Sequence, residues 1–233
     1  MANLKNKVAI VTGSSRGLGK AVAKLLALNG ANVVINYSSN KIQADEVVSE
    51  IVQSGGQAFA IQADISNPAE ITKLFDQTIE RYGQIDIVIN NAGIMITKFT
   101  RDTSEEDFDR TFSINTKSVF FSMREAATKM ADNGRIINIS SSVTRVMFPT
   151  YGVYSASKAA VEQMTKVFAK EIGNRGITAN TISPGPINTE LFLQGKNEEA
   201  IQRIAGLTAL TELAKQMTLH LLFYSWQVMN HNG

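Results

Sequence analysis

The chain has 233 residues, 23 Lys and Arg against 21 Asp and Glu, and no cysteine. That length suits one large or two small domains, and 44% hydrophobic with 19% charged residues excludes wholesale disorder. The missing cysteine excludes disulfides, Cys–zinc sites, iron–sulfur clusters and a thiol nucleophile, and a net charge of +2 is too small to point to nucleic acid. Both histidines, His220 and His231, lie in the last fourteen residues, so unless that tail folds back neither His-based catalysis nor a metal site is expected. There is no apolar run of transmembrane length and no cleavable leader before the Gly-rich turn at Gly13, so the expectation is a cytoplasmic protein without a membrane partner.

Short β-branched runs alternate with longer amphipathic stretches. Val8–Val11 reads as a first strand and 18–29, closed by Gly30, as a first helix. A strand at 33–35 precedes a helix at 41–54, which Gly55-Gly56 closes. A strand at 58–61 precedes Pro68–Tyr82, a helix with proline in its first turn. Then come a strand at 85–89, a long helix around 108–131, a strand at 136–139, a helix over 153–172 and a strand at 177–182. Short Val/Ile runs suit strands buried on both faces of a parallel sheet, and regular βα alternation predicts an α/β doubly wound parallel sheet with right-handed crossovers. Without a linker or repeat, 1–213 reads as a single domain, with 214–233 as an atypical tail.

Directly after the first strand, Thr12-Gly13-Ser14-Ser15-Arg16-Gly17-Leu18-Gly19 opens the first helix. Glycines allow a tight turn there, and the helix N-terminus offers free N–H groups and a positive dipole end to a pyrophosphate. Asn90-Asn91-Ala92-Gly93 closes the fourth strand, Asn115 sits in the next helix and Ser141 ends the fifth strand. Tyr154-Ser155-Ala156-Ser157-Lys158 and Pro184-Gly185 follow. With these motifs in this order, the sequence resembles the short-chain dehydrogenase/reductase family from about Lys5 to about Leu213. The resemblance implies a Rossmann-type sheet of strand order 3-2-1-4-5-6.

Residues i and i+4 share a helix face, so Tyr154 and Lys158 converge on one volume. A phenol titrates near 10, and a nearby ammonium together with an oxidised nicotinamide would lower it. The resemblance then implies a reaction at a carbonyl: Tyr154 as proton donor or acceptor, Ser141 hydrogen-bonded to the same oxygen, Lys158 also holding the cofactor ribose, and Asn115 supporting a water chain. Alone, a Tyr-x-x-x-Lys pair is more often a solvated helix face and Ser140-Ser141-Ser142 a turn. Their family order carries the assignment.

The second strand ends in Asn36-Tyr37-Ser38-Ser39-Asn40-Lys41, without the carboxylate that would bind an adenosine ribose and repel a 2′-phosphate. Arg16 offers a guanidinium to that phosphate, with Tyr37 and Ser38 as further donors, so NADPH is favoured over NADH. The resemblance adds cofactor contacts from Gly13, Ser15, Gly17, Leu18 and Gly19, from Asp64 and Ile65 at the adenine edge, and from Asn91, Ala92 and Gly93. Tyr154, Lys158, Pro184, Gly185, Ile187 and Thr189 complete them at the nicotinamide end. A mostly apolar rim of Val143, Met147, Phe148, Tyr151 and the stretch 189–204 beside Ser141 fits a ketone or aldehyde on an apolar skeleton. The leading reading is an NADPH-dependent carbonyl reductase. The alternative is a 3-oxoacyl-carrier-protein reductase, for whose acyl carrier partner Arg175 matches one basic position while the other reads Asp132, with Lys129 a turn away. A non-catalytic NADPH-binding protein is the third reading.

Family members run further than this chain, and after Leu213 no family pattern is recognisable. Synonymous codons for Lys215 onward, read in a shifted frame, encode Lys-Ala-Asp-Asp-Ile-Ala-Pro-Val-Val-Leu-Phe-Leu-Ala-Ser-Asp-Glu-Ser-Gln-Trp, which resembles the family's next helix. A single-nucleotide frameshift near Leu213 is therefore one expectation. The other is a divergent helix, since Leu210, Leu213, Met217, Leu221, Tyr224 and Val228 recur at helical spacing. In either case the family's usual seventh strand has no candidate, so the resemblance predicts a homodimer through the helices at 108–131 and 153–172 rather than a tetramer.

Overall fold

A computed structural model describes residues 3–193, 195, 197–206 and 213–214. Six strands, β1 (Val8–Val11), β2 (Asn32–Tyr37), β3 (Gln57–Gln62), β4 (Ile87–Asn90), β5 (Arg135–Ile139) and β6 (Thr178–Ile182), form one parallel sheet ordered β3-β2-β1-β4-β5-β6. Side chains alternate across its plane. Ala9, Val11, Val33, Ile35 and Ile89 pack on one side with Val22 and Leu26 of α1 (Gly17–Leu28) and Ala44, Val47 and Ile51 of α2 (Lys41–Gln53). On the other side Ile10, Val34, Val88 and Ile136 meet Leu74 and Phe75 of α3 (Pro68–Tyr82), Val119 and Met123 of α5 (Ser118–Lys129), and Val161 and Phe168 of α6 (Gly152–Ile172). This is the doubly wound sheet expected from the sequence, with the expected strand order. The chain reverses its winding between β1 and β4, so the C-terminal ends of both open onto one crevice.

The structure corrects three local expectations. Burial on both faces fails at β3, the edge strand, where Gln57, Phe59 and Gln62 are exposed; the Arg81 guanidinium covers the Phe59 ring at 5.2 Å. The fourth strand starts at Ile87 rather than 85, because the Asp86 carboxylate instead accepts hydrogen bonds from Val8 N (2.8 Å) and Lys7 Nζ (2.9 Å). The long helix around 108–131 is α4 (Glu105–Phe112), a five-residue π turn (Ser113–Lys117) and α5.

Two short helices, α7 (Glu190–Leu193) and α8 (Glu198–Ala205), follow β6. Ala214 returns to the core as a parallel bridge with Ile187, donating to Pro186 O and accepting from Asn188 N, each at 3.0 Å. Both histidines and, apart from Leu213, the tail positions with helical spacing lie outside the described residues. Among the described residues no helix is long and apolar enough to cross a membrane, and no cluster of His, Asp or Glu could hold a metal.

Candidate active site

The dinucleotide side is built where β1 and β4 end. Thr12 Oγ1 accepts from Asn91 N (3.0 Å) and Ala92 N (3.1 Å), and Asn91 Nδ2 donates to Thr12 O (2.8 Å) and Gly13 O (3.2 Å). Asn36 Oδ1 accepts from Gly13 N (3.1 Å), so the side chain at the end of β2 is committed to shaping the turn. A Cβ at Gly19 would lie 2.5 Å from both Gly13 O and Asn91 Nδ2, which explains glycine there. Gly17 has φ +54 and faces open space, with nothing within 4 Å of its Cβ position. An open, glycine-walled turn at the N-terminus of α1, where no acidic residue occupies the first turn, fits a pyrophosphate.

The other expected cofactor contacts divide into exposed and buried groups. Ser15 and Leu18 are partly exposed, while Arg16, Ser38 and Asp64 are exposed at the crevice rim. Arg16 Nη1 lies 3.4 Å from Glu190 Oε2 on α7. Tyr37 and Ile187, both 6–7% exposed, belong to the core cluster under α1 and α2, and Ile65 is buried too. Any contact from these three therefore comes from the backbone or the edge of a ring. Thr189 Oγ1 instead caps α7 by accepting from Phe192 N (3.2 Å).

The catalytic candidates converge from three elements. Tyr154 and Lys158 lie on α6, and Ser141 follows β5, with its hydroxyl hydrogen-bonded to the Tyr154 phenol. Asn115 sits in the π turn rather than in a regular helix. It is fully buried: its Oδ1 accepts from Ile94 N and its Nδ2 donates to Ile94 O, both at 2.9 Å, with Ser157 Oγ at 3.1 Å. Its side chain therefore clamps the loop after β4 to α6. A Cβ at Gly93 would sit 3.2 Å from Asn115 Oδ1 and 3.4 Å from Lys158 Nζ, so these three residues meet at one point.

Burial dominates the electrostatics. It pushes the Tyr154 phenol above 10, against the opposing pull of the Ser141 hydrogen bond. Lys158 is pushed down to about 8 by burial, and its Nζ donates to Ile139 O at 2.8 Å. The expected lowering of Tyr154 by Lys158 is thus not found in this arrangement; burial wins, and the phenol stays protonated at neutral pH.

On the substrate side, rings step inward from Phe148 to Tyr151 (5.7 Å between centroids) and from Tyr151 to Tyr154 (6.3 Å). Val143 is buried, and Met147 is 80% exposed. Sequence reasoning missed the Thr12 hydroxyl and Glu162. The latter had a visible signal: a carboxylate one helical turn beyond Lys158, on the face that carries the site.

The family model described as short chain dehydrogenase matches residues 7–200. The NADPH-dependent aldehyde reductase-like protein, chloroplastic, of Arabidopsis thaliana is 46% identical over 217 residues, covering 87% of this chain and 80% of the relative. Versicolorin reductase of Emericella nidulans is 42% identical over 196 residues, covering 84% and 74%. A solved short chain dehydrogenase from Burkholderia cenocepacia in complex with NADP superposes with a TM-score of 0.89 at 36% identity, covering 95% and 90% of the two chains. With this match across most of its length, and with the sheet order and crevice described above, the chain belongs to the short-chain dehydrogenase/reductase family of oxidoreductases.

Proposed function

We propose that the chain is an NADPH-dependent carbonyl reductase. The observation that carries this reading is the buried, protonated Tyr154 phenol, hydrogen-bonded by Ser141 and one helical turn from Lys158. NADPH, when bound along the Gly13–Gly19 turn, supplies the hydride. The Tyr154 hydroxyl passes its proton to the carbonyl oxygen, and Ser141 donates a hydrogen bond to that oxygen as charge gathers on it. Lys158 presents an ammonium to the ribose side, and Asn115 fixes the loop that carries Gly93 and Ile94. NADPH is supported over NADH by the absence of a carboxylate after β2, by the exposed Arg16, and by relatives whose names or bound ligands are NADPH or NADP.

The carrier-protein alternative loses its basic dock. Arg175 Nε is paired with Asp132 (2.7 Å) and its Nη1 donates to Ala127 O (2.7 Å) at the C-terminal end of α5. Lys129 is paired with Glu125 and Asp76. A small carbonyl compound beside the Tyr151 and Phe148 rings fits better. For the dimer, exposed apolar groups on the two helices support the reading: Phe120 (51%) on α5 and Val167 (58%) on α6. For the tail our reading is a frameshift near Leu213, with a divergent helix as the alternative, and the cytoplasmic placement rests on the sequence alone.

NADPH and NADH binding, followed by turnover of small ketones, aldehydes and a 3-oxoacyl thioester, tests the function. Consumption of NADPH with a small carbonyl is the expected result. Tight NADPH binding without turnover of any carbonyl would support the non-catalytic alternative.

A further inference from the structure

Glu162 is a carboxylate only 9% exposed, on α6 one turn beyond Lys158. Its Oε1 alone accepts from Ser140 Oγ (2.8 Å), Ser183 Oγ (2.8 Å) and Thr144 Oγ1 (3.0 Å). Ser140 ends the approach to Ser141, Thr144 lies in the turn just after it, and Ser183 precedes the Pro184-Gly185 turn after β6. Ser140 Oγ also lies 3.3 Å from Lys158 O, and Thr144 Oγ1 lies 3.0 Å from Ser141 O. Each hydroxyl has one hydrogen to give, and a bond to a carboxylate is the stronger one. Burying this charge would be unfavourable with fewer donors. Burial pushes the Glu162 carboxyl up, but the three hydroxyls and the nearby Arg145 charge outweigh it and hold the group below its usual range, so it is ionised at neutral pH.

An apolar side chain would fill this place at lower desolvation cost, so the carboxylate needs another reason to be there. We propose that Glu162 is a positioning residue that ties the ends of β5 and β6 to α6 and thereby fixes the Ser141 hydroxyl against the Tyr154 phenol. The proposal rests on the reading of Ser141 and Tyr154 given above. Ser141 hangs from a turn held at both ends by the same carboxylate oxygen, whereas Tyr154 and Lys158 are set by their own helix.

The test uses Glu162→Leu, with 4-nitrobenzaldehyde as carbonyl probe and NADPH absorbance as readout. The expected result is a fall of about 10- to 100-fold in kcat with NADPH affinity nearly unchanged, the size expected when a reacting group is displaced by about an ångström. In a Ser141→Ala background the same substitution should add little, because its effect is exerted through Ser141. A second readout needs no turnover: tyrosinate absorbance against pH, assigned with Tyr154→Phe. The groups acting on the phenol are Ser141, which lowers it, and Tyr151, which raises it, so loss of the Ser141 hydrogen bond should raise the Tyr154 titration further. If Glu162→Leu fails to fold, Ser183→Ala and Glu162→Gln replace it. Ser183→Ala should lower kcat a fewfold, and Glu162→Gln, which keeps an acceptor oxygen, should retain more activity than any variant lacking one.

Wild-type kcat and an unmoved Tyr154 titration in the folded variant overturn the proposal. Equal and additive losses with and without Ser141 overturn it as well. If Tyr154→Phe and Ser141→Ala keep full turnover, the underlying reading fails instead, and the two failures are told apart.

Discussion

At the scale of single residues, the site is governed by competition between burial and charge. Burial keeps Tyr154 protonated in this arrangement, and on the proposed reading removing its hydroxyl removes the proton source. Tyr154→Phe should lower kcat by about 10²- to 10⁴-fold, the usual worth of a positioned general acid, with NADPH binding preserved; NADPH absorbance and a fluorescence titration measure the two. Lys158 gives a stability signature. Its folded pKa of about 8 lies below its unfolded value of 10.5, so between these values the unfolded chain binds a proton that the folded chain lacks. Stability should therefore rise with pH across that window, by up to about 3 kcal/mol. Above pH 10 the buried phenol of Tyr154 and the half-buried phenols of Tyr151 and Tyr82, whose values are raised by burial, act in the opposite direction. Urea unfolding of the cofactor-free protein from pH 8 to 10 should show the rise, and Lys158→Met should abolish it. Arg16 poses a question of magnitude. Its ion pair with Glu190 is exposed on both sides and is worth about 0–1 kcal/mol, whereas a charge-assisted bond to a phosphate is worth about 1.5–3 kcal/mol. On the proposed reading the 2′-phosphate outcompetes Glu190, and Arg16→Ala should weaken NADPH binding by about tenfold or more while leaving NADH binding unchanged.

Among the elements, the helices and strands that sequence periodicity revealed are those whose pattern is set locally. Pro68–Tyr82 starts at a proline and ends at Gly83 in the left-handed region, and the structure reproduces both ends. The π turn at Ser113–Lys117 was invisible, because no glycine or proline marks it. It is held by tertiary bonds from Asn115 to both backbone groups of Ile94, which no helical period encodes. Asn115→Leu would leave those two partly buried groups without their partner, so a loss of about 1–3 kcal/mol in urea unfolding is expected, together with reduced turnover. The fate of Arg175 was hidden for a similar reason: the sequence shows a basic residue, and only the fold shows that it caps the carbonyl end of α5. The Gly-rich turn, by contrast, was legible as a motif, and its glycines turn out to have different jobs. A methyl group at Gly19 meets backbone at 2.5 Å, while one at Gly17 meets open space and carries only the strain of φ +54. Gly19→Ala should therefore cost more stability in urea unfolding than Gly17→Ala.

For the whole molecule, βα alternation with right-handed crossovers made the doubly wound parallel sheet legible, while its strand order and the candidate catalytic residues came from the family resemblance carried by the order of motifs along the chain. The tail is different: its composition breaks with the rest, and periodicity alone offers a passable helix for it. Two readings therefore compete, and they differ at the level of the gene as well as the protein. In a frameshift, the codons after Ala214 must carry the alternative peptide in the shifted frame, and that string has an apolar core, Ile-Ala-Pro-Val-Val-Leu-Phe-Leu-Ala, denser than the text it replaces. Among the described residues β6 pairs only with β5, and Thr178 Oγ1 at its start is buried without a partner. Resequencing the gene should reveal codons that permit the shifted reading. Codons after Ala214 that cannot encode the alternative peptide in any shifted frame would sink the frameshift and leave the divergent helix as the remaining reading of the tail.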